Sequence, residues 1–177
     1  PRTHRRPRPP SPRRRRPWTS AANRCAAAYA AALDYLTAGT NLLPDDCWQC
    51  CYELSLALHH DLAQAAYLTG DFEQMERSIA LALAHAATLL DKVHVFDVQI
   101  QAAIARNQPK AALDLGLSVL RELGSPLPEQ PGADDIGRAF QEVELTLAGR
   151  SAATLLQAPL MTNPVSLATM RIMQRVG

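Results

Sequence analysis

The chain has 177 residues, enough for one domain with a real core; 47% of them are hydrophobic and only 5% aromatic. Alanine and leucine dominate, which favours close-packed helices over a β sandwich, and no run of about 18 apolar residues is present to cross a membrane. The net charge of +1 hides a split: residues 1–17 hold eight arginines and no acid, whereas residues 18–177 carry a net of −7. The N-terminus lacks the charged-then-apolar order of a secretion signal. A cytoplasmic setting is therefore expected, with Cys25, Cys47, Cys50 and Cys51 as reduced thiols.

Residues 1–20 read as a disordered Arg/Pro-rich arm or linker. In PRTHRRPRPPSPRRRRP the prolines forbid helix and the arginines repel one another. Its arginines suit contact with nucleic acid or an anionic surface, but no aromatics interleave them. Such contact is expected to be weak and non-specific, and a solvated linker is the preferred reading.

Residues 21–175 read as a helical-repeat domain. A first helix over 21–43 places Ala26, Ala30, Leu33, Leu36 and Leu43 near a 3.6-residue period, with Tyr29 and Tyr35 beside them and Ser20 or Asn23 as cap. Gly39 inside this pattern allows a close helix approach. Pro44 breaks the helix, and Asp45 or Asp46 caps a second helix over 46–69, whose apolar face runs from Trp48 and Tyr52 through Leu54, Leu62 and Leu68.

Gly70-Asp71-Phe72 forms the corner around which the chain is organised. Gly70 supplies the positive φ of a helix C-terminus, and Asp71 caps a third helix over 71–90. Phe72 and Met75 point back toward the second helix. A fourth helix over 92–106 follows, built on Val93, Phe96, Ile100, Ala103 and Ile104. Asn107-Gln108-Pro109 answers the first corner at an offset of about 37 residues, close to the tetratricopeptide period of about 34. Pro109 suits the first turn of a fifth helix that ends at Gly124. After the loop SPLPEQPG come a sixth helix over 133–148 (Asp134 and Asp135 at its start; Ile136, Phe140, Val143 and Leu147 on its stripe), a short helix capped by Ser151, and a last helix over 164–175. The pattern predicts an all-α, tetratricopeptide-like solenoid of antiparallel hairpins. Gly70, Asp71, Pro109 and Gly124 are its turn and cap residues.

Three segments carry a more specific likeness: ALDYLTAGTNLLPDDCWQCCYELSLALHHDLAQAAYLTGDFEQME over 32–76, KVHVFDVQIQAAIARNQPKAALDLGLSVLRELGSPLP over 92–128, and LLQAPLMTNPVSLATMRIM over 155–173. In that order they resemble the helical-repeat region of very large bacterial signalling proteins. Those proteins join a serine/threonine-kinase-like domain, an AAA-type ATPase domain, a GAF sensor and often a histidine kinase. The resemblance implies a fragment that acts as an interdomain scaffold, with those modules as partners in the same chain or another. The sequence departs from the pattern in its arginine arm and at Cys50-Cys51. A freestanding nucleic-acid-associated adaptor using the basic arm is the alternative.

No phosphate-loop glycine motif and no kinase His-Arg-Asp or Asp-Phe-Gly triplet occurs, so no catalytic activity and no cofactor are expected. Cys47, Cys50 and Cys51 with His59 and His60 form the best metal candidate. On one helix, though, Cys51 and His59 stand about 12 Å apart, too far for one ion, and structural thiols are the preferred reading. The aspartate pairs read as helix caps, Trp48 and Tyr52 as core, and His85 and His94 as isolated residues without a role. A partner groove is expected on the helices over 46–69 and 92–106, involving Glu53, His60, Gln64, Gln99 and Gln101.

Overall fold

The computed structural model describes residues 17–147 and 149–177, with side-chain environments from Ala27 onward apart from Ala152 and Leu155. Every regular element among the described residues is a helix: α1 (Pro17–Asn41), α2 (Cys47–Cys50), α3 (Tyr52–Thr69), α4 (Phe72–His85), α5 (Leu89–Ala105), α6 (Pro109–Glu122), α7 (Ala133–Leu147), α8 (Ala152–Leu156) and α9 (Pro164–Val176). None of these helices is long and apolar enough to cross a membrane. Residues 1–16 of the expected arm lie outside the described residues. Its last four, 17–20, are already helical, because Pro17 occupies a first-turn position where its missing N–H costs nothing.

The Gly70 corner has the geometry its sequence predicts. Gly70 stands at φ 81°, its N–H donates to the Tyr67 carbonyl, and the Asp71 N–H donates 2.9 Å to Ala66. That six-to-one bond satisfies carbonyls the helix end would leave orphaned. The Asp71 carboxylate then accepts the Gln74 N–H at 3.0 Å and caps α4. The same arrangement closes α5 at Asn107 (φ 58°; Gln108 N–H to Ala103) and α6 at Gly124 (φ 81°; Ser125 N–H to Leu120). Pro109 begins α6 as expected.

Several expectations need correction. The helix expected over 46–69 breaks at Cys51 (φ −145°, ψ 51°), which leaves one turn as α2. Asp46 precedes α2 but makes no side-chain cap; its Oδ1 instead lies 3.7 Å from the Cys50 thiol. The helix expected over 71–90 stops at His85, because Thr88 and Asp91 form a reciprocal capping box that starts α5 early. Tyr35, Leu54 and Leu68 belong to apolar patterns yet face solvent; Tyr35 is 79% exposed.

Two buried clusters share α5. Leu56, Ala63 and Ala66 of α3, Met75, Ile79 and Ala82 of α4, and Val95, Val98 and Ala102 of α5 form the first. The second joins Val93 and Ile100 of α5 to Ala112, Val119 and Leu120 of α6, and to Ala168 and Ile172 of α9. Thus α5 packs on both α3 and α4, and α9 packs on both α5 and α6. The fit of α9 depends on Gly116, where an added Cβ would collide with Val176.

α7 is the largest departure. Its stripe forms a helix, but no residue of it is buried, and Phe140 is 68% exposed. Asp135 does serve the helix start, accepting the Gly132 N–H at 3.0 Å and pairing with Arg138. Because α9 holds the seat on α5 and α6, α7 stands off, and an open groove of about 880 Å³ lined by Leu113, Leu127, Ile136 and Met173 separates them.

Candidate functional site

Along α5, the strip between the two buried clusters is polar. Helical spacing explains this: Val95, Val98 and Ala102 turn toward α3 and α4, Val93 and Ile100 toward α6 and α9, and His94, Asp97 and Gln101 fall between. From α3, His60 reaches this strip, and its ring lies against that of His94 with centroids 5.4 Å apart. Arg171 and Arg175 reach it from α9. Arg175 grips Asp97 with both prongs, Nε to Oδ1 at 2.6 Å and Nη2 to Oδ2 at 3.4 Å. Arg171 Nη1 lies 2.7 Å from His94 Nδ1 and 3.2 Å from Nε2.

Both histidines are held below the ordinary imidazole range. For His94 the causes are burial first and then the Arg171 charge, opposed by Asp97 and Asp61. For His60 they are burial and then His94, opposed by the Asp91 backbone and by Asp61 and Asp91. The His60 Nε2 atom is buried without a hydrogen-bond partner among the described residues.

The expected groove residues divide. Glu53, His60 and Gln64 are spaced by seven and four residues and share one face of α3, and Gln101, seven residues beyond His94, shares the polar strip of α5. Gln99 does not join them: five residues beyond His94, it lies on the far side of α5. His94, taken from the sequence as isolated, is the centre of the strip. Asp97, Arg171 and Arg175 were missed. Their i,i+3 and i,i+4 spacings are visible in the sequence, but the separations of 77 and 78 residues that bring the helices together are not.

The remaining cysteines, histidines and aromatics lie elsewhere on the helices. No group of three or more metal-ligating side chains occurs among the described residues. Cys47 is buried, while the Cys50 and Cys51 sulfurs lie 3.4 Å apart at the helix break. The Cys51 thiol beside it, with burial and Asp46, pushes Cys50 up to about 11, so it stays protonated at neutral pH and is a poor nucleophile. His59 is buried, its Nδ1 donating to the Ser55 carbonyl at 2.9 Å. Trp48 stacks on His85 at 4.3 Å, which gives His85 a packing role the sequence did not suggest.

Tyr52 ties the corner beneath this site. Its hydroxyl donates to Asp91 Oδ2 at 2.7 Å and accepts the Ala87 N–H at 2.8 Å. Burial pushes the Asp91 carboxyl up, but hydrogen bonds from Tyr52, Thr88 and Ala87 outweigh it and hold the group below its usual range. Tyr52→Phe is expected to cost about 1 kcal/mol in urea unfolding, since Ala87 is exposed and water can replace one bond. Tyr35→Phe should cost nothing measurable; equal effects at the two sites would contradict the role given to Tyr52.

Compared with family models, curated proteins and solved structures, the chain matches none of them.

Proposed function

We propose that this chain is a non-catalytic scaffold of tetratricopeptide-like antiparallel hairpins that receives a protein partner on its α3–α5–α9 face. The packing order carries this reading. α5 rests on both helices of the preceding pair, and α9 rests on both α5 and α6. In a helical-repeat solenoid each new pair enters in that way, because one pair cannot bury its apolar face alone. α7 and α8 are then an insertion, after which α9 resumes the array. The left-handed corners at Gly70, Asn107 and Gly124 support the same reading.

On this reading α3, α5 and α9 are the inner helices, and their polar strip is the surface offered to partners. The resemblance of segments 32–76, 92–128 and 155–173 to the helical region of bacterial ATPase/kinase signalling proteins supports ATPase, GAF or kinase modules as those partners. Mechanically, packed hairpins pass a shift at one attached module to the next.

Titration calorimetry of the full chain against purified AAA-type ATPase, GAF and histidine-kinase domains of such a protein tests this. One of them should bind, and Gln64→Arg with Gln101→Arg should weaken binding at least about tenfold by obstructing the strip. Gln99→Arg, on the far side of α5, should leave binding unchanged. Absence of binding to all three domains, or equal effects of the two sets of substitutions, rejects the proposal.

A further inference from the structure

We propose that His60 and His94 form a proton-operated latch: neutral, they hold α9 against α5 through Arg171, and protonated, they loosen it. The argument begins with hydrogen-bond capacity. A guanidinium has five donors and no acceptor, so Arg171 bonds His94 only if the imidazole offers a lone pair. Nη1 lies 2.7 Å from Nδ1 and 3.2 Å from Nε2, within reach of whichever nitrogen is unprotonated. A neutral ring has one free lone pair; an imidazolium has none. Adding a proton therefore removes the acceptor and sets a cation beside a guanidinium.

His60 compounds the effect. Its ring lies against His94 at 5.4 Å, and its buried Nε2 has no partner among the described residues to receive an N–H. A proton there would be a buried, unpaired donor, and a second cation next to the first. The acids that face the rings are Asp61 from α3 and Asp91 and Asp97 from α5. Asp97 is already committed to Arg175 at 2.6 Å, and Asp91 to Tyr52 at 2.7 Å. From α9 the facing charge is Arg171, while Arg175 is held on Asp97. The charged groups acting on the His94 ring are Arg171 of α9, Asp97 of α5 and Asp61 of α3.

The sign follows. With both rings favouring the neutral form in the folded state, their contribution to α9 docking is complete above the ordinary imidazole range. It is lost as pH falls below that range, because the released rings bind protons more readily than the docked ones. The Asp97–Arg175 pair and the apolar seat of Ile172 hold α9 without either histidine, so they set a floor under the docking.

Hydrogen exchange of residues 164–176 in the full chain reads this directly. After correction for intrinsic rates, exchange should rise several-fold between about pH 7.5 and about pH 5.5, with no matching rise in α3–α4. His94→Gln keeps an acceptor for Arg171 but cannot titrate in this range, and it should remove most of the rise. His60→Leu should remove part of it. If His94→Gln does not fold, Arg171→Gln is read instead: the guanidinium charge is gone, so the pH dependence should shrink. No rise in the unmodified chain, or an undiminished rise in the folded variants, overturns the latch.

Discussion

Gly116→Ala is expected to destabilise the chain by about 1–2 kcal/mol, although the same change in an exposed helix stabilises by up to about 1 kcal/mol. Two effects compete. Alanine loses less backbone entropy on entering a helix than glycine does. Against that, a Cβ at 116 collides with Val176, whose Cβ and second methyl carbon also lie within 3.6 Å. A β-branched side chain has few rotamers to retreat to, so overpacking wins, at about 1–3 kcal/mol before the propensity gain is subtracted. The sign should reverse in a Val176→Ala background, where the colliding methyl groups are gone. There Gly116→Ala should stabilise by several tenths of a kcal/mol or more. Thermal unfolding of the four proteins in this cycle checks the prediction. Equal destabilisation in both backgrounds would show that α9 does not seat on Gly116.

Ile100→Ala should be more damaging, at about 2–5 kcal/mol. Ile100 is 0% exposed and stands where α5, α6 and α9 meet, touching a cluster that includes Val119, Leu120 and Ile172. Truncating it removes transfer energy and leaves a cavity that three packed helices cannot collapse around. Total stabilities of about 5–15 kcal/mol make such a loss a large fraction of the whole. Ile104→Ala, one turn later on the same helix, should cost within about 0.5 kcal/mol, because Ile104 is 49% exposed. Urea unfolding should show a lower midpoint for Ile100→Ala and almost none for Ile104→Ala. Similar midpoints for the two variants would contradict the placement of the second cluster.

These two isoleucines also show where periodicity stops being informative. Both fit the apolar pattern of α5, and only the neighbours distinguish them. Among the described residues Ile104 is left half exposed, whereas α6 and α9 close over Ile100. α7 makes the same point at larger scale. Its stripe of Ile136, Phe140, Val143 and Leu147 is a good amphipathic pattern, yet the helix buries nothing, because α9 docks on α5 and α6 in its stead. Amphipathicity says that a helix has an apolar side. It does not say which partner reaches that side first.

The cap at Thr88 and Asp91 was legible and went unread: a threonine followed three residues later by an acid, ahead of an apolar run, is a capping-box signature. The polar strip was only half legible. His60, Gln64 and Gln101 could be placed from helix spacing, whereas the pairing of His94 with Arg171, and of Asp97 with Arg175, joins residues 77 and 78 positions apart.

The sequence by itself determined the helical class and the corners, because these depend on local backbone energetics. A glycine or asparagine in the left-handed region ends a helix, an aspartate accepts the first free N–H groups, and a proline begins the next helix, as at Gly70, Asp71, Asn107, Pro109 and Gly124. Tertiary structure alone decided which apolar stripes are buried, that α9 rather than α7 completes the second cluster, and that two histidines and two arginines meet over α5. Those outcomes depend on close fit between helices distant in the chain, such as Gly116 receiving Val176, and no local pattern encodes that fit.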